Sequence, residues 1–349
     1  MKVGNIASIV GLAALCSAPR DELDYTGPAE TAIDSMNQFY YDEDQGRWSP
    51  ETAWWLSGFA LQDILDFMHK TGSRRYLQQA RHIGNFRADS TDDTGWWALA
   101  LLRMFDITGD YAYLNISIQD EAYMSQYRTT DDCNGGILQD IRHMSYKNAI
   151  SNQLYMLLTA FLHTRIPNDT TYLSKALATW DWLHASAMLN PDYLFNDGLA
   201  KTSDGVCYNK KLPTWTYNQG VILGALTELF HATGNHTYLT TATSIASAVI
   251  SSPSLSPSSI LTEPCEGTED GCNNDQEVFK GIFAKHLARL SKTLEDDPYR
   301  EYLEGNARSV VREAKGDGGL FDVSWKGPFE RGVLVGRRAV TVGLFVGLI

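Results

Sequence analysis

Positive charge is scarce in this chain: 29 Lys and Arg face 42 Asp and Glu, leaving a net charge of −13 over 349 residues. Binding to a phosphate backbone relies on clustered Lys and Arg, so no nucleic-acid partner is expected. The eight histidines form no His-Glu-x-x-His and no Cys-x-x-Cys occurs, which removes the common zinc enzymes and zinc modules. A Gly-x-Ser-x-Gly elbow and a phosphate-cradling glycine loop are also missing, so serine-hydrolase and nucleotide-binding readings fall away. No alternating apolar pattern of sheet length is present. Neither a metal nor a cofactor is expected.

Long apolar runs are missing as well. The one near the start, at 6–15, follows Met1-Lys2-Val3 and gives way to Arg20-Asp21-Glu22. It is too short to span a membrane and has the form of a secretory signal, expected at 1–18 with cleavage near Cys16 or Ala18. Residues 19–349 then form a single domain carrying four cysteines, an even number for an oxidising compartment. Cys265 and Cys272 flank a turn-rich Glu-Gly-Thr-Glu-Asp-Gly segment and are expected to pair. Asn115-Ile116-Ser117, Asn168-Asp169-Thr170 and Asn235-His236-Thr237 are N-glycosylation acceptor sequences. A secreted or cell-surface glycoprotein follows, working as a monomer.

What the chain does have is a degenerate repeat. Thr71-Gly72 to Tyr76-Leu77, Thr108-Gly109 to Tyr113-Leu114 and Thr233-Gly234 to Tyr238-Leu239 share one punctuation, echoed at 168–173 and 296–303. A glycine ends one helix in the left-handed conformation, Asp or Asn caps the next, and Tyr-Leu opens its apolar face. Helical apolar spacing predicts helices at 29–42, 53–69, 74–88, 95–107, 110–127, 148–164, 170–188, 217–232, 236–251, 276–292 and 297–315. Eleven helices and a twelfth at the end make six hairpins in a ring, an all-α (α/α)6 barrel. The long connections 128–147 and 190–215 are the expected cleft walls.

The chemistry concentrates in Ser90-Thr91-Asp92-Asp93-Thr94-Gly95-Trp96-Trp97. Glycoside hydrolysis uses one carboxyl to protonate the leaving oxygen and a second to attack the anomeric carbon, and indole rings stack on sugars. Taken alone, two aspartates before an apolar helix serve as a cap as readily as a catalytic pair. Trp54-Trp55 occupies the equivalent repeat position without an Asp pair, which assigns a core role to Trp54-Trp55 and a site role to Trp96-Trp97. Tyr217, Asn218 and Gln219, with Lys147, Asn148, Asn152 and Gln153, supply donors and acceptors suited to sugar hydroxyls; a structural role weighs at least as heavily for each. An isoprenoid-synthase reading needs a third carboxylate four residues after Asp92, where Trp96 stands.

The blocks 92–100, 146–153, 215–220 (Trp-Thr-Tyr-Asn-Gln-Gly) and 279–283 (Phe-Lys-Gly-Ile-Phe) resemble, in order, the signature blocks of glycoside hydrolase family 76, over about Ala32 to Trp325. The resemblance implies an (α/α)6 barrel that cleaves internal α-1,6 bonds of mannan with retention and without a cofactor. Asp92 then matches the nucleophile and Asp93 the acid/base, while α-1,6-mannan or a mannoprotein glycan is the partner. A cell-wall transglycosylase or a non-hydrolytic mannan-binding protein is the alternative. The chain departs from the pattern at 331–349, whose Gly and Val suit a helix poorly. The last helix is therefore expected to be missing or aberrant, as in a truncated or mis-spliced gene model. A lipid-anchor signal there lacks its polar spacer and is not expected.

Overall fold

The computed structural model describes residues 24–48, 54–82, 90–130, 133–142, 146–211, 213–329 and 336–349, with side chains of the last segment described from Val340. The expected signal sequence lies outside them. Twelve helices follow in order: α1 (Thr26–Tyr40), α2 (Trp54–Thr71), α3 (Leu77–Arg81), α4 (Thr91–Thr108), α5 (Tyr111–Ser125), α6 (Ala149–Arg165), α7 (Thr171–Ala185), α8 (Thr216–Thr233), α9 (Thr237–Ser251), α10 (Phe279–Thr293), α11 (Arg300–Glu313) and α12 (Gly336–Leu348).

The even-numbered helices form a closed inner ring, α2 on α4, α4 on α6, α6 on α8, α8 on α10, α10 on α12 and α12 back on α2. They are buried on nearly every side, whereas outer helices such as α5, α7 and α9 bury one stripe. This is the (α/α)6 barrel.

The repeat punctuation has a shared mechanism. Thr71, Thr108 and Thr233 each donate their hydroxyl to the carbonyl four residues back, Phe67, Met104 and Leu229 (2.6–2.8 Å). The same oxygens accept the amides of Ser73, Asp110 and Asn235 at 3.2 Å. Between them Gly72, Gly109 and Gly234 hold φ near +70°, a conformation that costs other residues steric strain. One side chain thus ends a helix and opens the return.

The twelfth helix corrects the sequence reading of the C-terminus. Gly and Val are there because α12 must lie very close to α10. A Cβ at Gly281 of α10 would stand 2.4 Å from the Val340 carbonyl oxygen, and one at Gly343 would stand 2.7 Å from the Gly281 carbonyl oxygen. Val340, Val342, Leu344, Phe345 and Val346 are buried, and Phe345 meets Tyr25 and Phe321. Low intrinsic helix propensity is overridden by this packing. Gly281→Ala is expected to push α12 off α10 and cost about 1–3 kcal/mol, as overpacking does; chemical denaturation of variant and parent measures it.

Five short strands, not expected from the sequence, line the loop end: β1 (Tyr41–Asp42) pairs with β2 (Arg47–Trp48), and β3 (Lys147–Asn148), β4 (Gly198–Lys201) and β5 (Cys207–Asn209) form an antiparallel sheet in that order. Cys265 pairs with Cys272 as expected, and Cys133 pairs with Cys207.

Candidate active site

Asp92 and Asp93 occupy the first turn of α4, at the end of the barrel where every inner helix begins. The capping alternative is answered by Ser90, whose side chain takes the N-cap position and accepts from the Asp93 amide at 3.4 Å. Thr91 pins the turn to the 128–147 loop, its amide donating to Gln139 O and its hydroxyl to Leu138 O. Neither aspartate is needed as the cap, so both carboxyl groups are available to the half-buried cleft.

Their environments differ. Asp92 Oδ1 accepts the Asp93 amide at 3.1 Å and Oδ2 accepts Asn148 Nδ2 at 3.5 Å. Burial raises its pKa, opposed by Ser90, the Asp93 amide and Asn148, which favour the charged form. Asp93 is pushed up to about 8, first by burial, then by the charge of Asp92, with Asp275 adding to the effect. Two like charges side by side do not both ionise readily, so the pair titrates as a unit that holds one proton at neutral pH. The two are not equivalent: the Asp93 amide and Asn148 favour the charged form of Asp92, while the charge of Asp92 favours the protonated form of Asp93.

A stability consequence follows. Asp93 binds its proton more tightly in the fold than in the unfolded chain, whose carboxyl titrates near 3.8. Its contribution is therefore most favourable at low pH and declines as pH rises from about 4 to about 8. Asp93→Asn is expected to raise the melting temperature at pH 8 while leaving it nearly unchanged at pH 3.5. Melting curves across that range measure the difference.

The expected stacking surface is corrected. Trp96 and Trp97 are each 2% exposed: Trp96 stacks on Trp55 at 5.5 Å and meets Phe59 edge-on, while Trp97 stacks on Trp54 at 4.7 Å and covers Gly58. Trp96 and Trp97 are core residues, and of the other pair Trp55 is buried as well. Trp54 remains half-buried, and Trp55 Nε1 donates to Asp275 Oδ1 at 2.9 Å, tying that carboxylate beside Asp93. Tyr217, beside Asp92, Asp197 and Asp275, is half-buried and stacked on Phe279 at 3.8 Å with planes 6° apart.

The remaining expected residues divide by what they hold. Lys147, 2% exposed, donates Nζ to Thr129 Oγ1 at 2.6 Å and to the Gly135 carbonyl, bracing the loop from inside. Asn152 binds both backbone groups of Ile137, and Gln219 binds both of Phe195. These three anchor the cleft walls and do not present groups to a ligand. Asn148 caps α6 through Ser151 N while reaching Asp92. Asn218 Nδ2 donates to Asp197 Oδ1 at 3.4 Å, and its Oδ1 is buried without a partner among the described residues. Gln153 is fully buried with both amide atoms unpartnered there.

Two acids escaped the sequence reading. Asp197 accepts Tyr146 OH at 2.6 Å and Tyr217 OH at 3.5 Å, and its carbonyl accepts the Ala149 amide that opens α6. Asp275 stands beside Asp93 and Tyr217, raising the pKa of both. Asp197 lies in the 190–215 segment already expected to wall the cleft, but nothing local marks it out. The arrangement as a whole gathers four acids, Asp92, Asp93, Asp197 and Asp275, around the half-buried ring of Tyr217.

Known proteins resemble this chain in sequence and fold. A Schizosaccharomyces pombe relative is 28% identical over 295 residues, 75% of this chain and 65% of its own length. The mannan endo-1,6-alpha-mannosidase DFG5 of Candida albicans is 25% identical over 312 residues, 80% of this chain and 68% of its own. The chain therefore spans about two thirds of the length of these curated relatives. Among solved structures, the GH76A alpha-1,6-mannanase of Salegentibacter sp. HEL1_6 superposes with a TM-score of 0.83 at 24% identity, covering 93% of this chain and 98% of that one. An inactive variant of that enzyme, with two adjacent aspartates replaced by alanine, is seen in complex with alpha-1,6-mannotetrose. The sequence profile of glycosyl hydrolase family 76 matches residues 26–341, and the chain belongs to that family.

Proposed function

We propose that the protein is an endo-acting α-1,6-mannanase that works with retention through a glycosyl-enzyme intermediate. The observation that carries this reading is the adjacent, half-buried carboxyl pair, with Asp92 held by the Asp93 amide and Asn148 and with Asp93 raised by burial and by the charge of Asp92. Asp92 attacks the anomeric carbon while Asp93 gives its proton to the departing glycosidic oxygen; Asp93 then takes a proton from the water that hydrolyses the intermediate. Asn148 holds the nucleophile, Asp275 supports the raised pKa of Asp93, and Tyr217 offers a face for a sugar ring. The unpartnered amide atoms of Asn218 and Gln153 supply hydrogen-bonding capacity for sugar hydroxyls or water. The named mannosidase activity of the C. albicans relative and the mannotetrose complex of an aspartate-substituted neighbour support the substrate class.

Passage through the secretory route completes the proposal. Both disulfides suit an oxidising compartment. Asn115, Asn168 and Asn235 are exposed and lie near the turns that follow the inner helices, at the end of the barrel away from the aspartates. Glycans there leave the cleft clear.

The deciding experiment is product analysis on unbranched α-1,6-mannan, with and without an acceptor glycan. Short α-configured oligomers are the expected products. Longer hybrid chains formed with the acceptor identify a transglycosylase, and no turnover by the folded protein overturns the enzymatic reading.

A further inference from the structure

The stacked rings Tyr217 and Phe279 stand in the first turns of two different inner helices, α8 and α10. Neither helix caps itself. The residue before α8 is Trp215 and the one before α10 is Val278, and neither side chain accepts a bond from the turn that follows it. The two helices are nevertheless pressed together here, since a Cβ at Gly220 would stand 2.5 Å from Phe283 Cα. What sets both starts is the turn Glu263-Pro264-Cys265-Glu266, between α9 and α10.

Glu263 is fully buried and holds the residue immediately before Tyr217: its Oε1 accepts the Thr216 amide at 2.9 Å and its Oε2 accepts the Thr216 hydroxyl. Glu266 holds the residue immediately after Phe279, its Oε1 lying 2.5 Å from Lys280 Nζ. Lys280, 1% exposed, also donates to the Val323 carbonyl at 2.5 Å and lies 4.9 Å from the Trp325 ring, with the charge of Asp322 nearby. The turn is closed on itself. The Glu266 amide donates to the Glu263 carbonyl at 2.9 Å, the Glu263 amide donates to Glu266 Oε1 at 2.6 Å, and Cys265 within it is bonded to Cys272.

Burying two carboxyl groups and an ammonium is costly, and a serine or aspartate at the N-cap would start α8 without a side chain 47 residues away. What this arrangement adds is a fixed relation between Thr216 and Lys280, because the two acids that hold them belong to one turn. We propose that Glu263 and Glu266 are positioning residues for substrate, fixing the Tyr217–Phe279 pair in the orientation in which Tyr217 receives a mannosyl unit. The inference rests on the reading of Tyr217 as a face for a sugar ring.

The test reads sugar binding twice, as KM for α-1,6-mannan and, by calorimetry, as the affinity of α-1,6-mannotetraose for the same variants on an Asp93→Ala background, where no turnover is needed. Glu263→Met, which keeps the length but loses both acceptors, is expected to raise KM and Kd about tenfold while kcat falls far less, because Asp92 and Asp93 stand on α4. Burial pushes Glu263 up to about 8 against the bonds from Thr216; Glu263→Gln resembles its neutral form and should recover most of the affinity. The decisive comparison adds Tyr217→Ala. If Glu263 acts through Tyr217, the double variant binds no more weakly than Tyr217→Ala alone. The nearly isosteric Thr216→Val, which loses only the hydroxyl bond, should show the same non-additivity and serves where Glu263→Met does not fold. Full additivity, or unchanged affinity in folded Glu263→Met and Thr216→Val, overturns the positioning role. Unchanged affinity in Tyr217→Ala, or no mannotetraose binding at all, overturns it together with the sugar-binding face. A chain that binds mannotetraose without cleaving mannan counts against the enzymatic reading alone, and the calorimetric comparison then decides the positioning.

Discussion

Asp93→Ala is expected to abolish mannan cleavage yet still release the aryl group of an activated aryl mannoside in a first turnover, whereas Asp92→Ala loses both reactions. Removing a general acid costs about 10²–10⁴-fold where the leaving group needs a proton and little where it does not. Removing the nucleophile leaves no route to the covalent intermediate. The pH profile follows from the same geometry. Mannan cleavage requires the protonated form of Asp93 and declines as pH rises through about 8; Asp275→Asn removes one of the charges holding that value up and moves the alkaline limb down. Pre-steady-state release of the aryl group measures the first contrast, and rates from pH 4 to 9 measure the second. A burst from Asp92→Ala and none from Asp93→Ala reverses the assignment. Wild-type rates in either variant remove the pair from the mechanism.

The parts of this molecule legible in its sequence are those whose cause is local. A threonine that closes one helix and receives the next amide does so within six residues, so the hairpins at Thr71, Thr108 and Thr233 could be read directly. The aspartates were visible for the same reason, because Ser90, Asp92 and Asp93 assemble within one turn. What escaped depends on distant partners. That Trp96-Trp97 is buried is decided by how α2 leans on α4, a contact between segments some forty residues apart with the same Trp-Trp signal on both. Asp197 becomes part of the site only because β4 pairs with β3, bringing it beside Tyr146 and the start of α6.

The C-terminal helix shows how a local rule fails when packing dominates. Gly and Val at 331–349 argue against a helix by propensity, yet the glycines are what let α12 approach α10 closely enough to close the ring. Composition that is poor for an isolated helix suits one held between α10, α2 and α1. Lys147, Asn152 and Gln219 make a related point from the other direction. Their residue types suit sugar hydroxyls, but each is occupied by a backbone group of a cleft-wall loop, which converts a recognition signal into an anchoring one.

Those anchors lead to the second large effect, on the Cys133–Cys207 disulfide. The bond joins the 128–147 loop to β5 across a sequence separation of 74 residues, so in the chain-entropy account its loss costs about 4 kcal/mol of stability. The Cys265–Cys272 bond closes only 7 residues and is expected to be worth about 2–3 kcal/mol in the same account. The catalytic consequence also differs. Cys133 sits in the loop that Lys147 and Asn152 hold, its carbonyl accepts Trp182 Nε1 at 3.0 Å, and the same loop receives the Thr91 hydroxyl and amide that fix the aspartate turn. β5, at the other end of the bond, pairs with β4, which follows Asp197 directly. A Cys133→Ser, Cys207→Ser double variant is therefore expected to lose several degrees of melting temperature and also to raise KM for mannan, because both walls of the cleft loosen together. Cys265→Ser, Cys272→Ser should melt earlier with a smaller rise in KM, since its bond joins neither of those two segments. Kinetics and melting of the two double variants under non-reducing conditions separate the cases. Equal KM in both, with only stability altered, would show that Lys147, Asn152 and Gln219 hold the cleft without help from the bond.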